Sequence, residues 1–298
     1  MKIRIGSRGS DLALWQANFV KSQLEELGHE ISIQIITTKG DRIQDLSFDK
    51  IEGKGFFTKE IEDALLGDEI DVAVHSYKDL ETKSPPGLTI GAVSYRENPT
   101  DCLLVRKEKY VADAGMFLAD GSVIGTSSAR RQSLIRSLNP QLNIQELRGN
   151  VPTRIQKLRD GQYDAIILAS AGIARLELDL SDLEVIELPV HDFVPAPAQG
   201  VLGIQIRESD EALKKVLQEI HHSDVESCIR IERDVLRSLD GGCQLPLGAH
   251  CVVEDSLFKV HASFAETKSE AAVVHTFASD QAEGFATQIA QSLKNGDL

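Results

Sequence analysis

The sequence predicts an α/β protein: two lobes with mixed, mainly parallel sheets, followed by a C-terminal α+β domain. Three observations carry this expectation. Strand-like and helix-like stretches alternate from the N-terminus to about residue 95. The alternation breaks around Ser94-Tyr95-Arg96-Glu97-Asn98-Pro99-Thr100 and then begins again. After Gly203-Ile204-Gln205-Ile206-Arg207 the order changes to helices, then three strand-like stretches, then a final helix.

In the first series, Lys2–Gly6 reads as a strand, and Ser10-Asp11 caps a helix that runs through Leu12, Trp15, Phe19 and Leu27. Ile31–Thr37 alternates as a second strand. Thr58–Leu66 is an amphipathic helix ended near Gly67, and Asp71–His75 is a short buried strand. In the second series, Ser122–Gly125 is a strand, Ser128–Leu138 a helix, Leu142–Leu147 a strand, and Val151–Arg159 a helix with Pro152 in its first turn. Asp164–Ala169 is another buried strand. The proline-dense Leu188–Pro197 reads as a crossover between bodies. Helices at about Asp210–Ile220 and Val225–Leu239, and a last one near Ala282–Leu293, frame the C-terminal domain.

The 298 residues exceed one ordinary core, so two or three domains are expected. With 42% hydrophobic and 26% charged residues the composition is that of a globular protein, and no apolar run is long enough to span a bilayer. Forty-six acidic residues against thirty-two basic ones give a net charge of -14, which argues against nucleic acid as a partner.

The basic residues are bunched. Arg130 and Arg131 follow Gly125-Thr126-Ser127-Ser128, Arg148 precedes Gly149-Asn150, and Arg154 follows Pro152-Thr153. Arg8 lies in Gly6-Ser7-Arg8-Gly9-Ser10, and Lys54 between Gly53 and Gly55. Each cation stands beside glycine or hydroxyl residues at a predicted helix start, where backbone N–H groups and the dipole already favour an anion. Any single such arginine reads better as a solvated helix-surface residue. Recurrence of one local pattern instead predicts a pocket for a ligand with many carboxylates or phosphates.

A second signal follows the strand ending at His75. His75-Ser76-Tyr77-Lys78-Asp79 places ionisable and hydroxyl groups at the ligand edge of a parallel sheet. Asp79 is therefore a candidate general acid or cation-stabilising carboxylate, with Ser76 and Lys78 as candidate ligand contacts. The plainer alternative is a turn in which Asp79 caps the next segment. One carboxylate among many arginines suits a reaction that binds an anionic substrate while positive charge develops at its centre.

A third signal is Cys243, in Leu239-Asp240-Gly241-Gly242-Cys243-Gln244-Leu245-Pro246-Leu247-Gly248. Free cysteines are most often small buried hydrophobes, and Cys102, Cys228 and Cys251 fit that. Cys243 does not, because two glycines before it and Pro-Leu-Gly after it describe an exposed loop tip. The four cysteines form no C-x-x-C pair and the histidines show no ligand spacing, so no metal site is expected. Nothing at the N-terminus resembles a signal peptide, which predicts a cytoplasmic location without disulfides.

Taken together, Arg4–Ser10 with Leu12–Gln16, Gly53-Lys54-Gly55-Phe56-Phe57, His75–Asp79, Gly125–Gln132, Leu147-Arg148-Gly149-Asn150, Ala198-Gln199-Gly200 and Gly241-Gly242-Cys243-Gln244 closely resemble the hydroxymethylbilane synthase (porphobilinogen deaminase) family across essentially the whole chain. The resemblance implies two lobes like those of type II periplasmic binding proteins: residues 1–95 with 193–212, and residues 96–192. It implies a third domain, 213–298, carrying the cysteine. It further implies a dipyrromethane cofactor held through a Cys243 thioether, onto which four porphobilinogen units condense head to tail with loss of ammonia, before water releases linear hydroxymethylbilane. Asp79 is then the catalytic carboxylate. Arg8, Lys54, Lys78, Arg130, Arg131, Arg148, Arg154 and Arg175 would bind the acetate and propionate groups of cofactor and substrate, assisted by Ser10, Ser76, Thr126, Ser127, Ser128, Gly149 and Gln199. The family expectation is a monomer whose partners are porphobilinogen and its oligopyrrole intermediates.

Three positions depart from the family pattern: Glu81 where proline is common, Tyr77 where methionine is familiar, and Asp240 where glutamate is usual. None removes a charged group assigned to chemistry, so tuning is expected. Two other readings compete on the residues alone. A two-lobed carboxylate or phosphate receptor would need no exposed thiol. A phosphoribosyl-transferring enzyme would use Gly125–Arg131 for phosphate, but that loop lacks Walker spacing and a magnesium-binding carboxylate pair.

Overall fold

Strand β1 (Lys2–Ser7) opens a five-stranded sheet and leads into helix α1 (Asp11–Glu26). Ser10 caps that helix by accepting from Ala13 N at 3.4 Å, with Asp11 in the first turn complementing the dipole. The computed structural model describes residues 1–38, 58–239 and 245–296. Strand β2 (Glu30–Ile35), helix α2 (Lys59–Leu66), strand β3 (Val72–Ser76) and strand β4 (Leu88–Val93) follow.

The chain then supplies a second five-stranded sheet from strands β5 (Asp101–Arg106), β6 (Val123–Gly125), β7 (Asn143–Gln145), β8 (Ala165–Ala169) and β9 (Leu183–Leu188). Between them run helices α3 (Ala129–Leu138), α4 (Val151–Arg159) and α5 (Ser170–Leu176). Strand β10 (Leu202–Arg207) returns to the first sheet. After helices α6 (Glu211–Leu217) and α7 (Ser223–Ser238), a three-stranded antiparallel sheet of β11 (Leu247–Glu254), β12 (Leu257–Phe264) and β13 (Val273–Ser279) precedes helix α8 (Phe285–Asn295).

The contacts divide the chain into two units, Met1–Glu97 with Val201–Glu226, and Asn98–Gly200 with Ser227–Leu298. The two large sheets share one plan. The first has the order β2-β1-β3-β10-β4 and the second β7-β6-β8-β5-β9. In each, three strands run parallel, and the fourth in the order is antiparallel to both its neighbours. That fourth strand is in both cases the one formed just after the chain passes between the two series: β5 on leaving the first, β10 on returning.

Continuous apolar strands are expected where a sheet is covered on both faces. In the first unit Ile3, Ile5, Val72, Val74, Ile204 and Ile206 pack under Ala17, Val20 and Leu24 of α1. Ala73 and Leu88 face Ile61, Ala64 and Leu65 of α2 on the other side. In the second unit Leu103, Val105, Ile124 and Ile167 pack against Leu134 and Ile135 of α3, while Leu104, Ile166 and Leu168 pack with Ile155 and Leu158 of α4. The small sheet buries Cys251, Val260 and Ala262 under α7 and α8 through Ile231, Val235, Phe285 and Ile289.

Some elements differ from the sequence reading. The predicted 210–220 helix stops at Leu217 and tightens into a 3-10 turn at Gln218–Ile220. The last helix begins at Phe285, because Gly284 enters it in the left-handed conformation. Strands β4, β5 and β9 lie in stretches the periodicity did not single out.

The small sheet is tied to the crossover segment inside the second unit. Glu232 of α7, fully buried, accepts from Ala198 N and Cys251 N, both at 2.7 Å, one carboxylate oxygen for each. Ala198 sits at φ 62°, a conformation unusual for a residue with a Cβ, and the Glu232 bond fixes its N–H. Ala249 N donates to Pro195 O at 3.0 Å, and Ala272 N to Ser133 O at 3.0 Å.

Candidate active site

In the first unit the candidate residues lie at the carboxyl ends of parallel β1 and β3. Gln16, buried on α1, donates from Nε2 to Ser76 Oγ at 2.8 Å and so ties the helix to the end of β3. The chain then makes a 3-10 turn at Tyr77–Asp79, held by Tyr77 N donating to Val201 O at 2.9 Å and by Leu80, which is buried. Asp79 at the end of that anchored turn is exposed, and among the described residues its carboxylate makes no hydrogen bond or ion pair. The capping alternative for Asp79 thus finds no bond to support it. Lys78 and Arg8 are half-buried, and Ser10 serves as the cap of α1.

Behind this edge lies a buried polar chain. His75 Nε2 is 3.2 Å from Gln205 Oε1, and Gln205 Nε2 donates to Glu62 Oε1 at 3.0 Å. Burial pushes the His75 pKa from 6.5 down to about 4, with the Gln205 bond opposing, so the ring is neutral. Because Gln205 gives its Nε2 to Glu62 and turns its Oε1 to His75, the tautomer that completes the chain carries its proton on Nε2. At the opposite end of the sheet Asp71 is held down to about 2: burial would raise it, but hydrogen bonds from Arg4 and Arg207 prevail.

In the second unit the loop after β6 is built from short-range hydroxyl bonds. Thr126 N donates to Gln145 O at 2.9 Å, Ser128 N to Thr126 Oγ1 at 3.2 Å, and Ser128 Oγ caps α3 by accepting from Arg131 N at 3.5 Å. Ser127 Oγ both donates to Leu147 O at 2.9 Å and accepts from Leu147 N at 3.1 Å, pinning the segment that carries Arg148. Gly125 is required where it stands, since a Cβ there would meet the Tyr163 ring at 2.7 Å. Gly149, at φ 116°, turns the chain into α4, where Asn150 caps by accepting from Thr153 N at 2.9 Å. Arg154 Nε donates to Gly149 O at 2.7 Å, and Arg148 is half-buried.

Arg130 and Arg131 are placed differently from the surface arginines their local sequence allowed. They are 4% and 6% exposed, and both engage Asp101, itself fully buried: Arg130 NH1 at 2.8 Å and Arg131 NH2 at 2.7 Å. Burial alone would raise the Asp101 pKa, but the two guanidiniums hold it well below the usual carboxylate range. Gln199 is also fully buried, and its Nε2 lies 2.9 Å from Asp101 Oδ1 and 2.8 Å from Pro99 O. Arg175, buried, donates to Gly200 O at 2.7 Å. Asp101 escaped the sequence reading. Its one signal was a carboxylate opening an otherwise apolar strand, Asp101-Cys102-Leu103-Leu104-Val105.

Cys243 and Lys54 lie outside the described residues, as does Asp240. Cys102, Cys228 and Cys251 are buried and free, and burial pushes the Cys102 thiol up to about 12, away from reactivity. Among the described residues no cluster of His, Cys, Asp or Glu could hold a metal ion, and no helix is long and apolar enough to cross a membrane.

Two five-stranded sheets of one plan, each presenting charged and hydroxyl side chains at its parallel strand ends, with a small antiparallel sheet appended, define a class of α/β protein. The comparisons narrow that class. Residues 3–215 match the family model described as "Porphobilinogen deaminase, dipyromethane cofactor binding domain", and residues 227–295 match "Porphobilinogen deaminase, C-terminal domain". A porphobilinogen deaminase of Syntrophobacter fumaroxidans is 43% identical over 270 residues, covering 90% of this chain and 85% of that protein. One from Syntrophotalea carbinolica is 41% identical over 295 residues, covering 98% and 92%. Among solved structures, an arginine-binding periplasmic protein of Salmonella typhimurium aligns with a TM-score of 0.41 at 13% identity, over 74% of this chain and 91% of that one. The chain belongs to the porphobilinogen deaminase family.

Proposed function

We propose that this chain is a hydroxymethylbilane synthase, condensing four porphobilinogen molecules head to tail with loss of ammonia and releasing the linear product by hydrolysis. The observation that carries the reading is the match of both family domains, together covering nearly all of the chain.

The residues present fit a dipyrromethane. Its substituents are carboxylates, and the loop edge of the second unit offers hydroxyls and guanidiniums, including a buried Arg131 Nε that has no partner among the described residues. Thr126, Ser127, Ser128, Arg130, Arg131, Arg148, Arg154 and Arg175 are the residues of that unit that would hold it. When bound through Cys243, the group supplies the free pyrrole carbon to which the first substrate is joined.

Asp79 does the proton work. Its exposure at the end of an anchored turn supports a role in assisting departure of the substrate amine and stabilising the cation left when ammonia leaves. The acidic body, at -14 overall, would repel a growing polycarboxylate, so local cations must offset that field. The reading places the protein in the cytoplasm, acting as a monomer on porphobilinogen.

Intact-mass measurement tests it. Purified protein is expected to exceed its sequence mass by one dipyrromethane, and Cys243→Ser to abolish the excess; active protein of unmodified mass would overturn the attachment.

A further inference from the structure

We propose that Asp101 is a positioning residue for the anion-binding arginine pair, fixing Arg130 and Arg131 as oriented cations at the head of α3. The inference rests on the function proposed above and extends it to a residue that touches no ligand.

Two adjacent guanidiniums removed from water are strongly destabilising unless compensated. Asp101 compensates both at once, giving Oδ2 to Arg130 at 2.8 Å and Oδ1 to Arg131 at 2.7 Å. The triad then carries one surplus positive charge. A single arginine opposite Asp101 would be neutralised, and a pair without it would repel; the combination keeps a net cation whose geometry is fixed. Backbone carbonyls complete the fixing: Arg130 NH1 donates to Val194 O at 2.7 Å and Arg131 NH1 to Ile167 O at 2.8 Å.

Asp101 is itself immobilised. Gln199 Nε2 lies 2.9 Å from its Oδ1 while also reaching Pro99 O at 2.8 Å and Thr100 O at 3.2 Å. Gln199 thereby supports the carboxylate that supports the arginines. The cluster is not saturated, since the buried Arg131 Nε keeps an unused donor among the described residues. For stability alone an apolar cluster of similar volume serves as well or better than a buried ion triad. Its position explains it better: α3 starts immediately after the Thr126-Ser127-Ser128 loop, at the carboxyl end of β6, where ligands of such sheets gather.

The test compares Asp101→Asn and Gln199→Met with the parent, reading unfolding, the fraction of molecules with the covalent mass excess, and KM and kcat for porphobilinogen per adduct-bearing molecule. Gln199→Met preserves the charge balance and so tolerates folding if Asp101→Asn does not. Expected for Asp101→Asn is a lower adduct fraction and a KM raised about tenfold or more, the effect of losing one charge-assisted hydrogen bond, with kcat per loaded molecule little changed. Gln199→Met should raise KM about threefold, in line with a lost neutral support. Folded Asp101→Asn with the parent's adduct fraction and KM would overturn the proposal; if that variant does not fold, unchanged values in Gln199→Met would do so. A parent with neither adduct nor turnover would instead overturn the function itself.

Discussion

Gln205 Oε1 accepts from His75 Nε2 at 3.2 Å, joining the strand that leads to Asp79 with its antiparallel neighbour through side chains as well as backbone. His75 is 6% exposed and neutral, its pKa pushed by burial from 6.5 to about 4.

That neutrality makes stability depend on pH. Above the ordinary histidine value both folded and unfolded states are neutral at this position and it contributes no slope. As pH falls from 6.5 towards about 4, only the unfolded chain takes up the proton, so stability is lost across that window, by up to about 3 kcal/mol, and no further below it. Glu62, raised chiefly by burial, acts oppositely: its contribution is present below 4.5 and lost as pH rises through its folded value. His261 is lowered, burial being the main cause, and adds in the same sense as His75. Urea unfolding at about pH 7.5 and about pH 5 should show the loss, and His75→Gln should flatten it. An equally steep difference in that variant would refute the assignment.

Asp79 is exposed, and among the described residues its carboxylate makes no bond that holds the fold together. Asp79→Asn should therefore change stability by no more than about 0.5 kcal/mol while lowering turnover of porphobilinogen by about a hundredfold or more. Thermal unfolding and steady-state rates separate the two effects, and near-normal turnover would remove Asp79 from the chemistry.

Ser127 couples the loop after β6 to the segment before Arg148 by donating to and accepting from one residue, Leu147. Ser127→Ala leaves both backbone groups of Leu147 without that partner and should cost about 1 to 2 kcal/mol. Because Arg148 follows directly, KM should rise more than kcat falls. A loss confined to kcat would mean that the loop acts on chemistry rather than on ligand placement.

Glu232 takes one backbone N–H on each carboxylate oxygen. Glutamine offers a single oxygen, so Glu232→Gln turns an NH2 group against an N–H and should destabilise by about 2 to 3 kcal/mol, or lower the midpoint by about 5 °C or more. An unchanged midpoint in calorimetry would show that the crossover at Ala198 is held by other contacts.

Much of the architecture could be read from local pattern. The caps Ser10 and Ser128 fall where hydroxyl residues precede apolar periodicity, and buried β3 and β8 fall on uninterrupted apolar runs. Strands β4, β5 and β9 were less visible because their neighbours in the sheet, not their own alternation, define them. The same limit applied to the arginines. Arg130 and Arg131 look alike to Arg148 and Arg154 in sequence, each beside glycine or hydroxyl residues, yet the first two are buried on Asp101 and the others lie nearer solvent.

By itself, the chain's order of residues determined the strand and helix series, the crowding of cations at strand ends, and the motifs shared with its family. These depend on periodicity, capping and residue identity, all of which act within a few positions along the backbone. Folding in three dimensions decided that β5 and β10 run antiparallel in their sheets, that Asp101 sits between two guanidiniums, and that Gln199 and Glu232 hold buried backbone and side-chain groups rather than solvent. A buried charge takes its partner from whatever the packed strands bring within reach, and that reach spans residues far apart in sequence.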